Sequence, residues 1–138
     1  MKNINPYLTF NGNCREAMTF YKDCLGGELK LMTFGESPME SGPEDKNKIM
    51  HANLVHNNAV LMASDSMQSR PVDSGSNFTI SVECENEQEI ETHFNAMARG
   101  GKVTMPLQDT FWGARFGMLT DKFGFQWMFN YNKPGAMQ

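Results

Sequence analysis

The feature that most constrains this chain is that one pattern occurs in it twice. The first occurrence runs through Asn5-Pro-Tyr-Leu-Thr-Phe10, Asn11-Gly12-Asn13, Cys14 to Leu25 and Gly26-Gly27-Glu28. Tyr7 to Phe10 suit a pleated surface, and Pro6 stands at the start of the run, where a missing donor does least harm. Asn13 is placed to cap a helix, and Glu16 falls at the capping-box position three residues on. Cys14, Met18, Tyr21 and Leu25 recur at helical spacing, and Gly26 supplies the positive φ that ends a helix. The second occurrence begins at Phe78-Thr-Ile-Ser-Val82. Its alternation sets Phe78, Ile80 and Val82 on one face and Thr79 and Ser81 on the other. Asn86 is the next cap, with Glu89 at the capping-box position. Ile90, Phe94, Met97 and Ala98 form the stripe, and Gly100-Gly101 stops it 74 residues after Gly26-Gly27. At the same offset Phe20 meets Phe94, as an internal repeat requires.

Length and charge set the bounds. The 138 residues admit a single domain, 1–138, built of two small modules sharing a core. A chain of this size buries roughly two-thirds of its unfolded surface, enough for a fold without staples. The net charge of −4, with no basic run, argues against nucleic acid as partner. No apolar stretch approaches the roughly 18 residues of a membrane span, and Met1 to Phe10 lacks the apolar segment of a signal peptide. Cys14, Cys24 and Cys84 are odd in number and without paired metal spacing, which fits reduced thiols in a cytoplasmic protein. None has an obvious histidine partner in sequence for nucleophilic work. The 12 methionines fit either a soft core or an irregular apolar pocket.

The remaining segments complete each module. Leu29 to Phe34 forms a second strand, and Gly35 to Lys48 a long polar loop. Ile49 to His56 and Ala59 to Asp65 form a hairpin about Asn57-Asn58, since asparagine tolerates the positive φ of a tight turn. Ser66 to Ser76, rich in Ser, Gly and Pro, forms a linker. In the second copy, Lys102 to Met105 forms a short strand ended by Pro106, and Leu107 to Gly113 a loop with two large aromatics. Ala114–Asp121 and Phe125–Tyr131 close a hairpin around Lys122-Phe-Gly124. The expected organisation is a first βαβββ module at 1–65, a linker at 66–76, a second module at 77–131 and a tail at 132–138.

This βαβββ repeat resembles the vicinal oxygen chelate superfamily of glyoxalase I, bleomycin-resistance proteins and extradiol dioxygenases. Three stretches are similar to its PhnB-like group. They are Pro6-Tyr-Leu-Thr-Phe-Asn-Gly-Asn13 through Phe20-Tyr21 to Leu25-Gly-Gly-Glu28; Met50-His51 through Leu61-Met62 to Asp65; and Trp112-Gly113 through Phe116-Gly117 and Asp121 to Phe123-Gly-Phe-Gln-Trp127. The resemblance implies an α+β fold of two modules, with curved mixed sheets around a cavity. It also implies a homodimer, since modules of this superfamily pair within a chain or by swapping across two chains. The group often bears the label 3-demethylubiquinone-9 3-methyltransferase. The chain has no G-x-G-x-x-G run and is short for the doubly wound sheet that a typical S-adenosylmethionine enzyme uses, so methyl transfer is not expected.

The resemblance also implies up to four metal ligands from the first and last strands of each module. Carried over residue by residue, those positions fall at Asn5, Met62, Asn77 and Met128. Two amides and two thioethers suit a hard divalent ion poorly, so no metal and no other cofactor is expected.

The pocket-facing residues follow from parity. With Leu8 and Phe10 under the helix, Tyr7 and Thr9 face the cavity, as do Thr79, Ser81, Gln126 and Met128. That uncharged lining suits a neutral or aromatic small molecule. His51 and His56, five apart on one strand, point to opposite faces and cannot share a metal. His51 lies in a family-like stretch and is the candidate general base or hydrogen-bonding group of the pocket. His93 is expected to face solvent. Asp65 and Asp121 are expected to cap turns. Phe111 and Trp112 either cover the pocket or anchor a dimer seam. The leading expectation is a small-molecule binding protein. The alternative is an enzyme of lyase, isomerase or oxygenase type using His51.

Overall fold

The computed structural model describes residues 1–37, 42–67 and 71–135. Parts of the Gly35–Lys48 loop (38–41), of the linker (68–70) and of the tail (136–138) lie outside the described residues. The chain divides into two compact units, Met1–Asp73 and Ser74–Gln138. The first holds β1 (Tyr7–Phe10), α1 (Cys14–Leu25), β2 (Glu28–Thr33), β3 (Ile49–His56) and β4 (Ala59–Asp65). The second holds β5 (Ile80–Glu83), α2 (Glu87–Met97), β6 (Lys102–Asp109), β7 (Ala114–Thr120) and β8 (Gln126–Asn132). The sheet orders are β1-β4-β3-β2 and β5-β8-β7-β6, so the two units share one topology. In each, the first strand lies parallel to the last and the rest are antiparallel. The fold is α+β, two βαβββ modules with open four-stranded mixed sheets. No helix among the described residues is long and apolar enough to cross a membrane.

In the first unit α1 buries Cys14, Ala17, Met18, Tyr21 and Cys24. The alternation of each strand puts Leu8, Phe10, Ala52, Leu54, Leu61 and Ala63 into the same core. Asn13 makes no side-chain capping bond. Asp65, at the end of β4, anchors the start of the helix by other N–H groups. Its Oδ1 accepts from the backbone N–H groups of Gly12 (3.0 Å) and Cys14 (2.9 Å), and its Oδ2 from that of Ile49 (2.9 Å). One buried carboxylate thus ties together the start of α1, the start of β3 and the end of β4. The charge also suits the positive end of a helix.

Asn57 turns the β3–β4 hairpin with φ of 55°. At Gly27, φ is 101° and an added Cβ would stand 2.6 Å from the Val55 carbonyl oxygen, so the exit from α1 requires glycine. Between β2 and β3 the described part of the polar loop forms two 3-10 turns, Phe34–Glu36 and Pro43–Asp45.

In the second unit Asn86 caps α2 as expected, its Oδ1 accepting from Glu89 N–H at 2.7 Å. Glu89 reaches back to Glu85 N–H, one residue before the position of a strict capping box. Ile90, Phe94 and Met97 are buried, and Phe94 meets Phe129 edge to face. Three expectations are corrected here. Pro106 does not end β6. The strand runs on to Asp109, with register shifts on either side of Met105, because β6 is an edge strand that tolerates a missing donor. Phe78 lies before β5 and is exposed. His93 is half-buried, and its Nδ1 is buried with no hydrogen-bond partner.

Asp121 does cap the β7–β8 turn. Its Oδ1 accepts from Phe123 and Phe125 N–H, and its Oδ2 accepts from the indole of fully buried Trp127 at 2.8 Å.

The three cysteines are buried and none forms a disulfide. Burial, reinforced by the Asp65 charge, pushes the Cys14 thiol up to about 12. Burial with Glu89 and Glu83 nearby does the same for Cys84, also to about 12. A proton held more tightly in the folded state makes stability fall as pH rises from the ordinary thiol range toward 12. At pH 8 neither thiol of the folded chain will react with a disulfide reagent on the timescale of the urea-unfolded chain. Absorbance of the released thiolate checks this.

Candidate functional site

Within each unit the helix covers one face of the sheet, and no other element of that unit covers the second face among the described residues. On the uncovered face of the first sheet, side chains line up in rows set by strand register. Tyr7 pairs with Met62, Met62 with Asn53 and Asn53 with Lys30, across β1, β4, β3 and β2. In the neighbouring row Thr9 pairs with Ser64, and His51 with Met32. The two rows meet where the Tyr7 hydroxyl lies 3.3 Å from His51 Nδ1, with ring centroids 5.9 Å apart. Tyr7, Thr9, His51 and Met62, singled out from sequence, therefore share one face. His56 lies on β3 at the opposite parity and is exposed, its ring 3.7 Å from where a Cβ on Gly26 would stand.

Asn53 belongs to this face and was not singled out from sequence. Its Oδ1 is buried with no hydrogen-bond partner. The signal was available. A two-residue turn at Asn57-Asn58 fixes the hairpin register, and that register sets Asn53 opposite Met62. Around these polar groups stand Met32, Met62, Val55 and Val60. Tyr7 is 48% exposed and Met32 43%, each on an edge strand, so the face is open to solvent at both edges, and Lys30 brings one cation to it. The surface offers apolar contact area and a few convergent hydrogen-bonding groups.

On the second sheet, Ser81 pairs with Met128, Met128 with Met118 and Met118 with Met105. Flanking rows set Thr120 beside Gln126 and place Glu83, Asn130, Phe116 and Gln108 in line. Thr79 precedes β5 on the parity of Ser81, and Gln126 donates to the Ser76 carbonyl at 3.0 Å. Met105, Met118, Phe116 and Asn130 were not singled out from sequence. The bulges in β6 turn Met105 to this face, and no local pattern announces them.

Phe111 and Trp112 occupy the β6–β7 turn, edge to face at 4.9 Å, with Phe111 93% exposed. The turn is closed by Thr110, whose N–H donates to the Ala114 carbonyl at 2.8 Å. It is braced by Asp109, which pairs with Lys133 (2.9 Å) and Arg115 (3.2 Å). Those two partners hold the Asp109 carboxyl below its ordinary value.

The four positions carried over as metal ligands are revised by the register. Ser81 opposes Met128 as Tyr7 opposes Met62, so the counterpart of Asn5 is Thr79, two residues beyond Asn77. An amide, a hydroxyl and two thioethers do not fit a hard divalent cation. Among the described residues, no three His, Cys, Asp or Glu side chains are grouped to hold a metal.

Comparison with known proteins agrees with this geometry. Residues 3–129 match the model of the Glyoxalase/Bleomycin resistance protein/Dioxygenase superfamily. Protein YjdN of Escherichia coli K12 is 36% identical, over 98% of this chain and 99% of its own. The crystal structure of protein PA1353 from Pseudomonas aeruginosa superposes with a TM-score of 0.87 at 48% identity, covering 96% of this chain and 98% of that one. A PhnB protein from Bacillus cereus, provisionally assigned as a 3-demethylubiquinone-9 3-methyltransferase, superposes at 0.76 with 28% identity, covering 94% of this chain and 99% of its own.

Proposed function

The chain belongs to the glyoxalase/bleomycin resistance protein/dioxygenase superfamily, and from that premise we propose that it binds a small neutral or aromatic molecule on the uncovered face of its first sheet, without the superfamily's usual divalent metal. The observation that carries the proposal is the hydrogen-bonded Tyr7–His51 pair beside the unpartnered Oδ1 of Asn53, set among methionine and valine side chains. A buried amide oxygen without a donor is costly, and a ligand N–H or O–H that reaches it relieves that cost. Met62 and Met32 supply polarizable surface that adapts to a flat ring. Neither the donors at Asn5 and Met62 in the first unit nor those at Thr79 and Met128 in the second suit a hard cation, which supports binding that does not depend on one.

A library of neutral and aromatic compounds screened by thermal shift tests this. At least one class will raise the melting temperature, and its binding will move the methyl resonances of Met62 and Met32. Tyr7→Phe will weaken that ligand roughly five- to tenfold, the worth of one ordinary hydrogen bond. A library in which no class stabilises the fold would overturn the proposal.

The second function, favoured by the same pair, is an enzyme in which His51 acts as general base and the Tyr7 hydroxyl fixes its tautomer. The methyltransferase assignment of the Bacillus cereus relative lends it no support here. Each unit carries a mixed sheet, not a doubly wound parallel one with a glycine-rich turn.

A further inference from the structure

The second sheet carries a different arrangement. Met105, Met118 and Met128 are direct cross-strand partners on β6, β7 and β8. All three lie on the face away from α2. Leu119 and Trp127, their neighbours in sequence, are buried, and Phe129 packs on Phe94 of α2. Methionine is not a residue that strands favour, so three in register are not demanded by the sheet itself. Neighbouring strands stand about 4.8 Å apart, so the outer two of the row are roughly 10 Å apart with the third between them. Each side chain has three rotatable bonds, which let the sulfurs swing toward a common centre above Met118. Met105 is 37% exposed and opens the row to solvent. The flanking rows are Lys102, Thr120 and Gln126 on one side and Gln108, Phe116, Asn130 and Glu83 on the other, and their two charged members stand at the outer strands, with Glu83 bonded to Asn130.

We propose that Met105, Met118 and Met128 form a three-thioether site for one soft monovalent cation, of the class of Cu(I). Thioethers are neutral, polarizable and never protonated near neutral pH. They discriminate against the hard ions that carboxylate and imidazole sites take, and favour soft ions of low charge. Three neutral sulfurs in one row make a trigonal set without any carboxylate. The site lies wholly on the second unit and does not rest on the ligand proposed for the first.

Ag(I), a redox-stable probe of the same class, tests it. The intact chain with methyl-labelled methionine is titrated and followed by NMR and by calorimetry. The methyl signals of Met105, Met118 and Met128 are expected to move together with the same equivalent, while those of Met32 and Met62 stay. Met118→Leu, a near-isosteric change that keeps the fold, is expected to abolish the response of the remaining two and to remove one equivalent from the isotherm. Both chains carry the same three thiols, so the difference between them belongs to the row. Identical isotherms, or methyl signals of the row that do not move in excess Ag(I), would overturn the site.

Discussion

Asp65→Ala will lower the unfolding free energy by about 3–5 kcal/mol, the cost of leaving two buried donors without an acceptor. The carboxylate is 4% exposed and accepts from Gly12, Cys14 and Ile49 N–H at 2.9–3.0 Å. Alanine leaves the buried Cys14 and Ile49 N–H groups without an acceptor, whereas that of exposed Gly12 can turn to water. It also removes a negative charge from the N-terminus of α1, worth a further fraction of a kcal/mol. Asp65→Asn will cost less, because the amide retains one acceptor oxygen of the two. Urea unfolding followed by far-ultraviolet circular dichroism measures both. If Asp65→Ala shifts the midpoint no more than a surface substitution does, the carboxylate does not hold the first unit together.

Trp127→Ala will cost a similar amount, about 3–5 kcal/mol, by opening a large void in the second unit. Trp127 is 1% exposed, stacks near Phe129 and donates its indole N–H to Asp121 Oδ2. Trp127→Phe separates the two contributions, keeping most of the volume and losing the hydrogen bond. It is expected to cost about 1–3 kcal/mol, since Asp121 Oδ2 then lacks its indole partner in a buried position. Denaturant midpoints of the two variants measured together give the split. Equal losses would mean that volume contributes nothing beyond the bond. Because the chain comprises two units, both transitions should be followed with probes from each unit before a single free energy is assigned.

Much of the fold was legible in the residues themselves. α1 runs from Cys14 to Leu25 and β3 from Ile49 to His56, as the apolar spacing and the flanking Asn and Gly residues predict. The common strand order of the two units follows from the repeat. Misplacements occurred where a contact distant in sequence overrode a local preference. Asn13 is a good cap by type but makes no capping bond, and the start of α1 is held instead by Asp65, which reaches Cys14 N–H from 51 residues away. Pro106 looks like a strand end, yet β6 lies at a sheet edge and accommodates it. His93 follows a polar residue on α2 and reads as exposed, but it is half-buried.

The candidate site divides along the same line. Strand parity is a local property with a period of two, so it sets Tyr7 and Thr9 against Leu8 and Phe10, and His51 against His56, without any knowledge of the fold. The hairpin turn at Asn57-Asn58 extends that knowledge to one neighbouring strand. The parallel pairing of β1 with β4, and of β5 with β8, is closed by no tight turn. It follows from packing α1 and α2 onto one face of each sheet. That pairing brings the Tyr7 hydroxyl to His51 across 44 residues. The bulges in β6 complete the row of Met105, Met118 and Met128 in the second unit. The sequence by itself determined the modules, their elements and which residues share a face, because periodicity and turn chemistry act over a few residues. Only the tertiary structure decided which of those residues touch, because that depends on register between strands far apart in the chain.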